Sequence, residues 1–329
     1  MNSDKQIIVT GATGFIGSNL LHSLECRGYS NLVCVDTFGK DEKWKNVLTL
    51  NKTRFVSPDN LSEYISFNKN RIQAIIHLGG ISSTTEDDVD LIVKTNISLS
   101  IELYEICKNN GYQFIYASSA STYGDGSNGF EDGYDIEYLS TLKPLNPYGW
   151  SKLYVDKYIA NDLLNSKPTN QVVGLRFFNV YGPNENHKGP QASVMLKFYN
   201  EINNNKEIKL FRSHNIKFKD GMQERDFVYV KDCSDVITWM LENESICGLF
   251  NVGSGNARTF NDVANIIIKN LATDVSIVYI DMPYTLQKHY QYHTEANLNK
   301  LRKAGYIKEM TSLEDGISNY INEYLINKK

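Results

Sequence analysis

The sequence predicts an α/β chain: a doubly wound parallel sheet, followed by a smaller and discontinuous α/β region. Three observations predict it. An apolar run, Gln6-Ile7-Ile8-Val9, opens into a glycine-rich turn and then into a helical apolar pattern. Strand-like runs recur at 32–35, 54–56, 74–78 and 113–118, with helical patterns between them. The run Ala74-Ile75-Ile76-His77-Leu78 is continuously apolar instead of alternating, as a strand covered on both faces requires.

The first element fixes the rest. Val9-Thr10-Gly11-Ala12-Thr13-Gly14-Phe15-Ile16-Gly17 joins the first strand to the helix that continues through Leu24. Strand, glycine turn and helix in that order form a phosphate cradle. Gly11 permits the tight turn, Gly14 the approach of backbone N–H groups to a pyrophosphate, and Gly17 the close packing of helix on strand. The helix N-terminus then faces the anion with its free N–H groups and dipole. The second strand, Leu32-Val33-Cys34-Val35, ends in Asp36, placed to bind an adenosine ribose. A Rossmann-type dinucleotide-binding unit is the expectation.

The loop from Thr37 to Asn51 carries Lys40, Lys43 and Lys45. It is either a solvated charged loop or a clamp for a 2′-phosphate. Asp36 alone favours NAD and the lysines favour NADP, so both cofactors stay open. After the fourth strand, Gly79-Gly80-Ile81-Ser82-Ser83-Thr84-Thr85 supplies small residues that let a ligand approach the backbone. A helix is expected from about Asp88 to Asn109, and Asn96 within it either bonds the loop above or sits at the surface. Ser118 and Ser119 end the fifth strand, where such sheets bind their ligands. Residues 124–143 read as a surface loop.

Pro147 starts a helix running to about Leu164. Tyr148 and Lys152 stand at i and i+4 on its first turn, on one face. A tyrosine hydroxyl, with a reference pKa of about 10, is a poor base near neutrality. A lysine ammonium and a nicotinamide's positive charge would favour the tyrosinate. That pair suits moving a proton on and off a sugar hydroxyl while a hydride moves on carbon. Val172–Phe177 is a sixth strand. Beyond it periodicity turns irregular, with strand character at 226–230 and 248–252 and helical patterns near 259–270, 295–304 and 312–326. The expected division is 1–178, with returning segments at about 226–256, for the dinucleotide-binding domain. About 179–225 and 257–329 would form the substrate-binding region.

Composition removes several classes. The net charge is −4, without a long basic run, which argues against nucleic acid as a partner. No apolar stretch approaches the roughly 20 residues needed to cross a membrane. The start, Met-Asn-Ser-Asp-Lys-Gln, is too polar for a signal peptide. The five cysteines, Cys26, Cys34, Cys107, Cys233 and Cys247, lack metal-ligand or redox spacing and read as free thiols in a reducing compartment. A cytoplasmic protein is expected, with Asn51, Asn96 and Asn243 as chance sequons.

Gly11-x-x-Gly14-x-x-Gly17, Ser119 and Tyr148-x-x-x-Lys152 together resemble the extended short-chain dehydrogenase/reductase family, over essentially the whole chain. Arg225-Asp226-Phe227-Val228-Tyr229-Val230 and Asn251-Val252-Gly253 extend the resemblance. Within that family, Ser82–Glu86, Tyr116–Gly124 and Arg176–Pro183 followed by His187-Lys188-Gly189 resemble the enzymes that invert C6 of a nucleotide-linked heptose. The resemblance implies conversion of ADP-D-glycero-β-D-manno-heptose to its L-glycero epimer, a step toward the lipopolysaccharide inner core. It also implies tightly bound NADP and a homo-oligomer, often a pentamer. By position it implies Tyr148 and Lys188 as the two acid/base residues, Lys152 on the cofactor ribose and Ser119 on the sugar hydroxyl. Expected cofactor contacts are Gly11, Gly14, Phe15, Ile16, Gly17, Asp36, Thr37, Lys43, Leu78, Gly79, Gly80, Ser82, Asn96, Tyr148, Lys152, Val180 and Lys188. Expected substrate contacts are Ser82, Ser119, Asn179, Lys197, Phe211, Arg225 and Tyr290.

An unactivated carbinol C–H is too weak an acid for any side chain to deprotonate. Removing and returning a hydride avoids this through a ketone. Its two faces must meet one nicotinamide in turn, so its oxygen points in two directions and two proton donors serve. Without the resemblance, Lys188 reads as a surface lysine. The segment His214–Glu224 is longer than the family's usual loop, and Pro190 and Lys197 replace expected Ser and His contacts. A dehydratase would need an acidic pair after Ser119, where Ala120 and Ser121 stand. A 4-epimerase of another nucleotide-hexose is the alternative enzyme. A non-catalytic dinucleotide-binding scaffold or sensor is the alternative class.

Overall fold

The computed structural model describes residues 5–165, 169–205, 207–287 and 290–327. Along the chain come β1 (Gln6–Thr10), α1 (Phe15–Cys26), β2 (Leu32–Val35), β3 (Thr53–Val56), α2 (Leu61–Asn68) and β4 (Ile72–His77). Next are α3 (Val89–Ile92), a π-helical turn over Val93–Ser98, α4 (Leu99–Asn110), β5 (Gln113–Ser119), α5 (Ile136–Thr141), α6 (Pro147–Asn165) and β6 (Val172–Phe177). The remainder holds β7 (Asn179–Tyr181), α7 (Val194–Asn205), β8 (Glu207–Phe211), β9 (Glu224–Tyr229), α8 (Val230–Glu242), β10 (Gly248–Val252), β11 (Ala257–Thr259) and α9 (Phe260–Leu271). It closes with β12 (Ser276–Ile280), α10 (Tyr284–Gln287), α11 (Asn299–Lys303) and α12 (Leu313–Asn319).

Seven parallel strands form the central sheet in the order β10-β6-β5-β4-β1-β2-β3. Both faces are covered. Leu20 and Leu24 of α1 join Val236, Ile237 and Met240 of α8 on one face. Leu103 and Cys107 of α4 join Val155 and Ile159 of α6 on the other. Every residue of β6 is buried, which is why that strand carries no polar alternation. The strand order reverses beside β1, so a crevice opens past the carboxyl ends of β1, β4 and β5.

Two small sheets, β11-β9-β7 and β12-β8, lie after residue 178 in the sequence. They share a core with α7, α9 and α12, built on Phe198, Ile208, Phe227, Ile267 and Ile317. Helix α9 starts with a capping box: the Thr259 side chain accepts from Asp262 N, and the Asp262 side chain accepts from Thr259 N.

Three expectations need correction. The segment 124–143 is not all loop, because Asp135 caps α5 by accepting from Tyr138 N. The expected helix from Asp88 runs to Asn110 but is broken in register by the π turn around Asn96. The strand starting near Asp226 joins β7 and β11 in a small sheet, while α8 and β10 complete the central layers. Cys34, Cys107 and Cys233 are buried free thiols; Cys26 and Cys247 are exposed free thiols.

Candidate active site

The glycine turn is built as its residues demand. Gly11 has φ +64°, and a Cβ there would stand 2.6 Å from Gly79 N. A Cβ on Gly17 would meet Gly11 O at 2.2 Å, so the helix start packs on the glycine turn itself, not on the strand as expected. Gly14 is the N-cap of α1 and no side chain caps that end. Its first N–H groups are therefore without an internal capping oxygen, the condition for receiving a phosphate. Gly79 lies behind, donating its N–H to Thr10 Oγ1 at 3.1 Å.

Asp36 is drawn inward. One carboxylate oxygen accepts from Thr13 N (2.9 Å) and Thr13 Oγ1 (2.7 Å), the other from Thr37 N (2.8 Å). Lys43 Nζ lies 3.6 Å from Asp36 and donates to Thr37 O at 2.6 Å. The negative charge that would repel a 2′-phosphate thus has its own cation beside it.

Above β4, the loop Gly80–Ile81 is held from below. Asn96 is fully buried; its Oδ1 accepts from Ile81 N (2.8 Å), and its Nδ2 donates to Ile81 O (3.0 Å) and Ser151 Oγ (3.1 Å). Its amide is held by the protein, and Asn96 shapes the loop from below. His77 joins Thr10 (2.7 Å) and Ser100 (2.9 Å), and burial pushes its pKa down to about 3, keeping it neutral.

The cleft itself is ≈ 350 Å³. Phe15 and Ile16 come to it from α1, Leu78, Gly80 and Ser82 from the loop after β4, and Ser119 from the end of β5. Tyr148 and Lys152 come from α6, Asn179 and Val180 from β7, and Lys188 from the following loop. Burial pushes the Tyr148 hydroxyl above the ordinary tyrosine range, and a hydrogen bond with Ser119 opposes that rise. Lys152 is only 6% exposed. Burial pushes it down to about 8, with the Asp156 carboxylate opposing. Lys188 is lowered mainly by burial, with Glu185 raising and Lys197 lowering it further. Its Nζ sits 5.4 Å from the Phe15 ring centre. Two partly buried proton-carrying groups, one phenol and one amine, thus enter one cavity from different elements.

Other expected contacts lie outside. Arg225 is buried with its guanidinium 5.0 Å from the Tyr290 ring and 5.7 Å from the Phe260 ring, next to the cleft wall that Phe260 and Phe227 form. Lys197 is exposed on α7, and Phe211 ends β8 with its carbonyl accepting from Gly221 N. Neither is among the residues lining the cleft, although Lys197 lies near enough to Lys188 to lower its pKa. Sequence reasoning missed Ser121, Gln191, Ser193 and Phe260 as lining residues. Ser121 follows the strand-end serines and could have been found from that adjacency. Gln191 and Ser193 reach the cleft only through the path of an irregular loop.

The model of the NAD dependent epimerase/dehydratase family matches residues 7–253. An ADP-L-glycero-D-manno-heptose-6-epimerase of Fusobacterium nucleatum is 42% identical over 97% of this chain and 98% of its own. One from Brachyspira hyodysenteriae is 39% identical over 95% and 96%. Among solved structures, the Helicobacter pylori ADP-L-glycero-D-manno-heptose-6-epimerase has a TM-score of 0.80 at 28% identity, covering 98% of this chain and 96% of that one. A UDP-N-acetylglucosamine 4-epimerase from Methanobrevibacter ruminantium has a TM-score of 0.83 at 24% identity, with 99% of both chains covered, a likeness of fold.

Proposed function

The chain belongs to the NAD dependent epimerase/dehydratase family, and from that premise we propose that it is an isomerase inverting C6 of ADP-D-glycero-β-D-manno-heptose. The observation that carries the reading is the convergence of Ser119, Tyr148, Lys152 and Lys188 on one cleft beyond the sheet's carboxyl ends. The full-length likeness to curated heptose epimerases supports the choice of sugar.

The glycine cradle fits a dinucleotide. Gly11 and Gly17 leave no room for a Cβ, and one on Gly80 would stand 2.7 Å from Asn96 Oδ1. Gly11, Gly14 and the start of α1 would hold the pyrophosphate, Thr37 and Lys43 the adenosine end, and Lys152 and Val180 the nicotinamide end. The ion pair of Lys43 with Asp36 supports NADP over NAD. The bound nicotinamide would supply the acceptor and donor for hydride.

The protein's own groups handle the proton. With Lys152 charged beside it, Tyr148 takes the proton from the C6 hydroxyl, while Ser119 orients that oxygen. When the ketone presents its other face, its oxygen points away from Tyr148, and Lys188 serves that second orientation. Arg225 and Tyr290 would bind the substrate on this reading. On this reading the central sheet carries the cofactor, and the segments after residue 178 carry the sugar nucleotide. A cytoplasmic homo-oligomer, a pentamer by resemblance, goes with the reading.

Two measurements test it. The dinucleotide released from the denatured protein is identified as NADP or NAD. The native protein is then given ADP-D-glycero-β-D-manno-heptose and UDP-hexoses, with epimer ratios followed by NMR. Interconversion of the heptose epimers is expected. Inversion of a UDP-hexose at C4 with an untouched heptose would replace this reading by the 4-epimerase one.

A further inference from the structure

The face of α6 that carries Tyr148 and Lys152 carries Asp156 one turn further on, at i+8 and i+4 from them. Asp156 is wholly buried and its carboxylate is crowded with donors. Ser118 Oγ (2.9 Å), Arg176 Nε (3.0 Å) and a terminal Arg176 nitrogen (2.8 Å) meet one oxygen; Tyr116 OH (3.0 Å) meets the other. Arg176 is itself fully buried and lies 4.6 Å from the Tyr123 ring centre.

Resting on the proposed function, we propose that Asp156 is a positioning residue for the reaction: Arg176 and two β5 hydroxyls clamp its carboxylate, which fixes β5 against α6 and sets that carboxylate one helical turn behind Lys152. Three elements meet at that carboxylate. Ser118 is bonded to Asp156, and its neighbour Ser119 is bonded to Tyr148. The helix and strand that align the reacting groups are therefore tied twice, at positions about two turns apart on α6. A buried ion pair is weak evidence for stability, because desolvation opposes the Coulomb gain. Here the pair has a use: the Asp156 carboxylate opposes the burial that lowers Lys152.

The titratable groups facing this cluster are His77 from β4, Tyr116 from β5, Tyr123 after β5, Asp132 and Tyr134 from the segment before α5, Arg176 from β6 and Lys300 from α11. His77 stays neutral, and burial holds the three tyrosines protonated. The Arg176 guanidinium is the cation paired with the Asp156 carboxylate, at 2.8 Å. Removing that carboxylate disfavours the Lys152 cation and favours the Tyr148 anion, so both groups titrate at lower pH.

The experiment compares Asp156→Asn, Ser118→Ala and the double variant Asp156→Asn/Arg176→Met with the parent. The double variant removes both buried charges yet keeps an acceptor for Ser118 and Tyr116, so a fold failure of the single variant does not end the test. The Lys152 ammonium is titrated by lysine-selective NMR, its signal identified by loss in Lys152→Met. The pH profile of heptose epimerisation is recorded beside it. Asp156→Asn is expected to move the Lys152 titration and both limbs of the profile down by about one pH unit, and the double variant, which removes opposite charges together, to move them in the same direction by less. Ser118→Ala is expected to lower kcat without moving either. An unmoved Lys152 titration, with activity lost only in step with melting temperature, overturns the inference. Normal turnover by Tyr148→Phe in the same assays would instead overturn the proposed function.

Discussion

Replacing Tyr148 with Phe removes one oxygen and leaves the ring that packs in the cleft wall. Two consequences differ enough in size to be separated. The hydroxyl's hydrogen bond with Ser119 is a neutral pair, whose net worth to the fold is about 1 kcal/mol. In a chain of 329 residues that is a melting shift of about 1–2 °C. The loss of a general acid/base lowers turnover by roughly two to four orders of magnitude, which is about 3–5 kcal/mol on the barrier. Cofactor binding should hold, because Lys152, the glycine turn and the Asp36–Lys43 pair are untouched. Interconversion of the heptose epimers, followed by NMR at saturating substrate, gives kcat. Calorimetry gives the melting shift, and fluorescence titration gives NADP affinity. Turnover within a few-fold of the parent would refute the assignment, since the phenol is the proton carrier placed at Ser119 on this reading. Lost turnover with lost NADP binding would refute the claim that Tyr148 acts on the substrate.

Lys188→Met keeps most of the side chain's apolar length over Phe15 and has no proton to exchange. Epimerisation should fall by roughly two or more orders of magnitude with cofactor binding near normal, and full-rate interconversion by the variant would end the two-donor reading. Lys43→Glu reverses the charge beside Asp36 and should weaken NADP far more than NAD in parallel titrations; equal weakening would mean that the loop supplies only general charge. Gly11→Ala forces an L side chain to φ +64° and pushes its Cβ into the Gly79 backbone. Destabilisation above about 1 kcal/mol is expected, with dinucleotide binding lost, read by thermal melting and titration.

Much of the central sheet was legible because its physics is local. Continuous apolar runs, a glycine turn with one residue type for each steric demand, and helix starts at Pro147 and after Gly14 can all be read along the chain. The reading failed where long-range packing decides. β8 alternates strictly in burial over Glu207–Phe211, but five residues of mixed polarity carry little signal until β12 pairs with them in parallel. The helix at Ile136 was hidden among glycines and acids, although Asp135 is an N-cap of ordinary kind. Asn96 shows the same limit at the site: its place beneath the loop was one of two options, and only burial and three hydrogen bonds to Ile81 and Ser151 choose between them.

The two acid/base groups proposed here differ in how the sequence shows them, and the difference has a structural cause. Tyr148 and Lys152 share a helix, so fixed spacing reports their common face before any tertiary contact is known. Lys188 sits in a loop whose path is set from outside it. Glu185, wholly buried, accepts from Gly182 N and from both the N–H and hydroxyl of Ser193, closing the loop's two ends on one carboxylate. Asn19 donates to Pro183 O at 2.9 Å, and Asn46 donates to Asn184 O at 3.3 Å. Asn46 also bonds His187 at 3.2 Å. Asn46 follows Lys43 and Lys45 in the loop beside Asp36, so the segment proposed to read the cofactor's adenosine end also fastens the loop that carries Lys188. A donor that must meet a ketone turned to its second face needs a mount independent of α6, and this loop provides one. Its anchors are single polar side chains scattered from Asn19 to Ser193, with no periodicity to announce them.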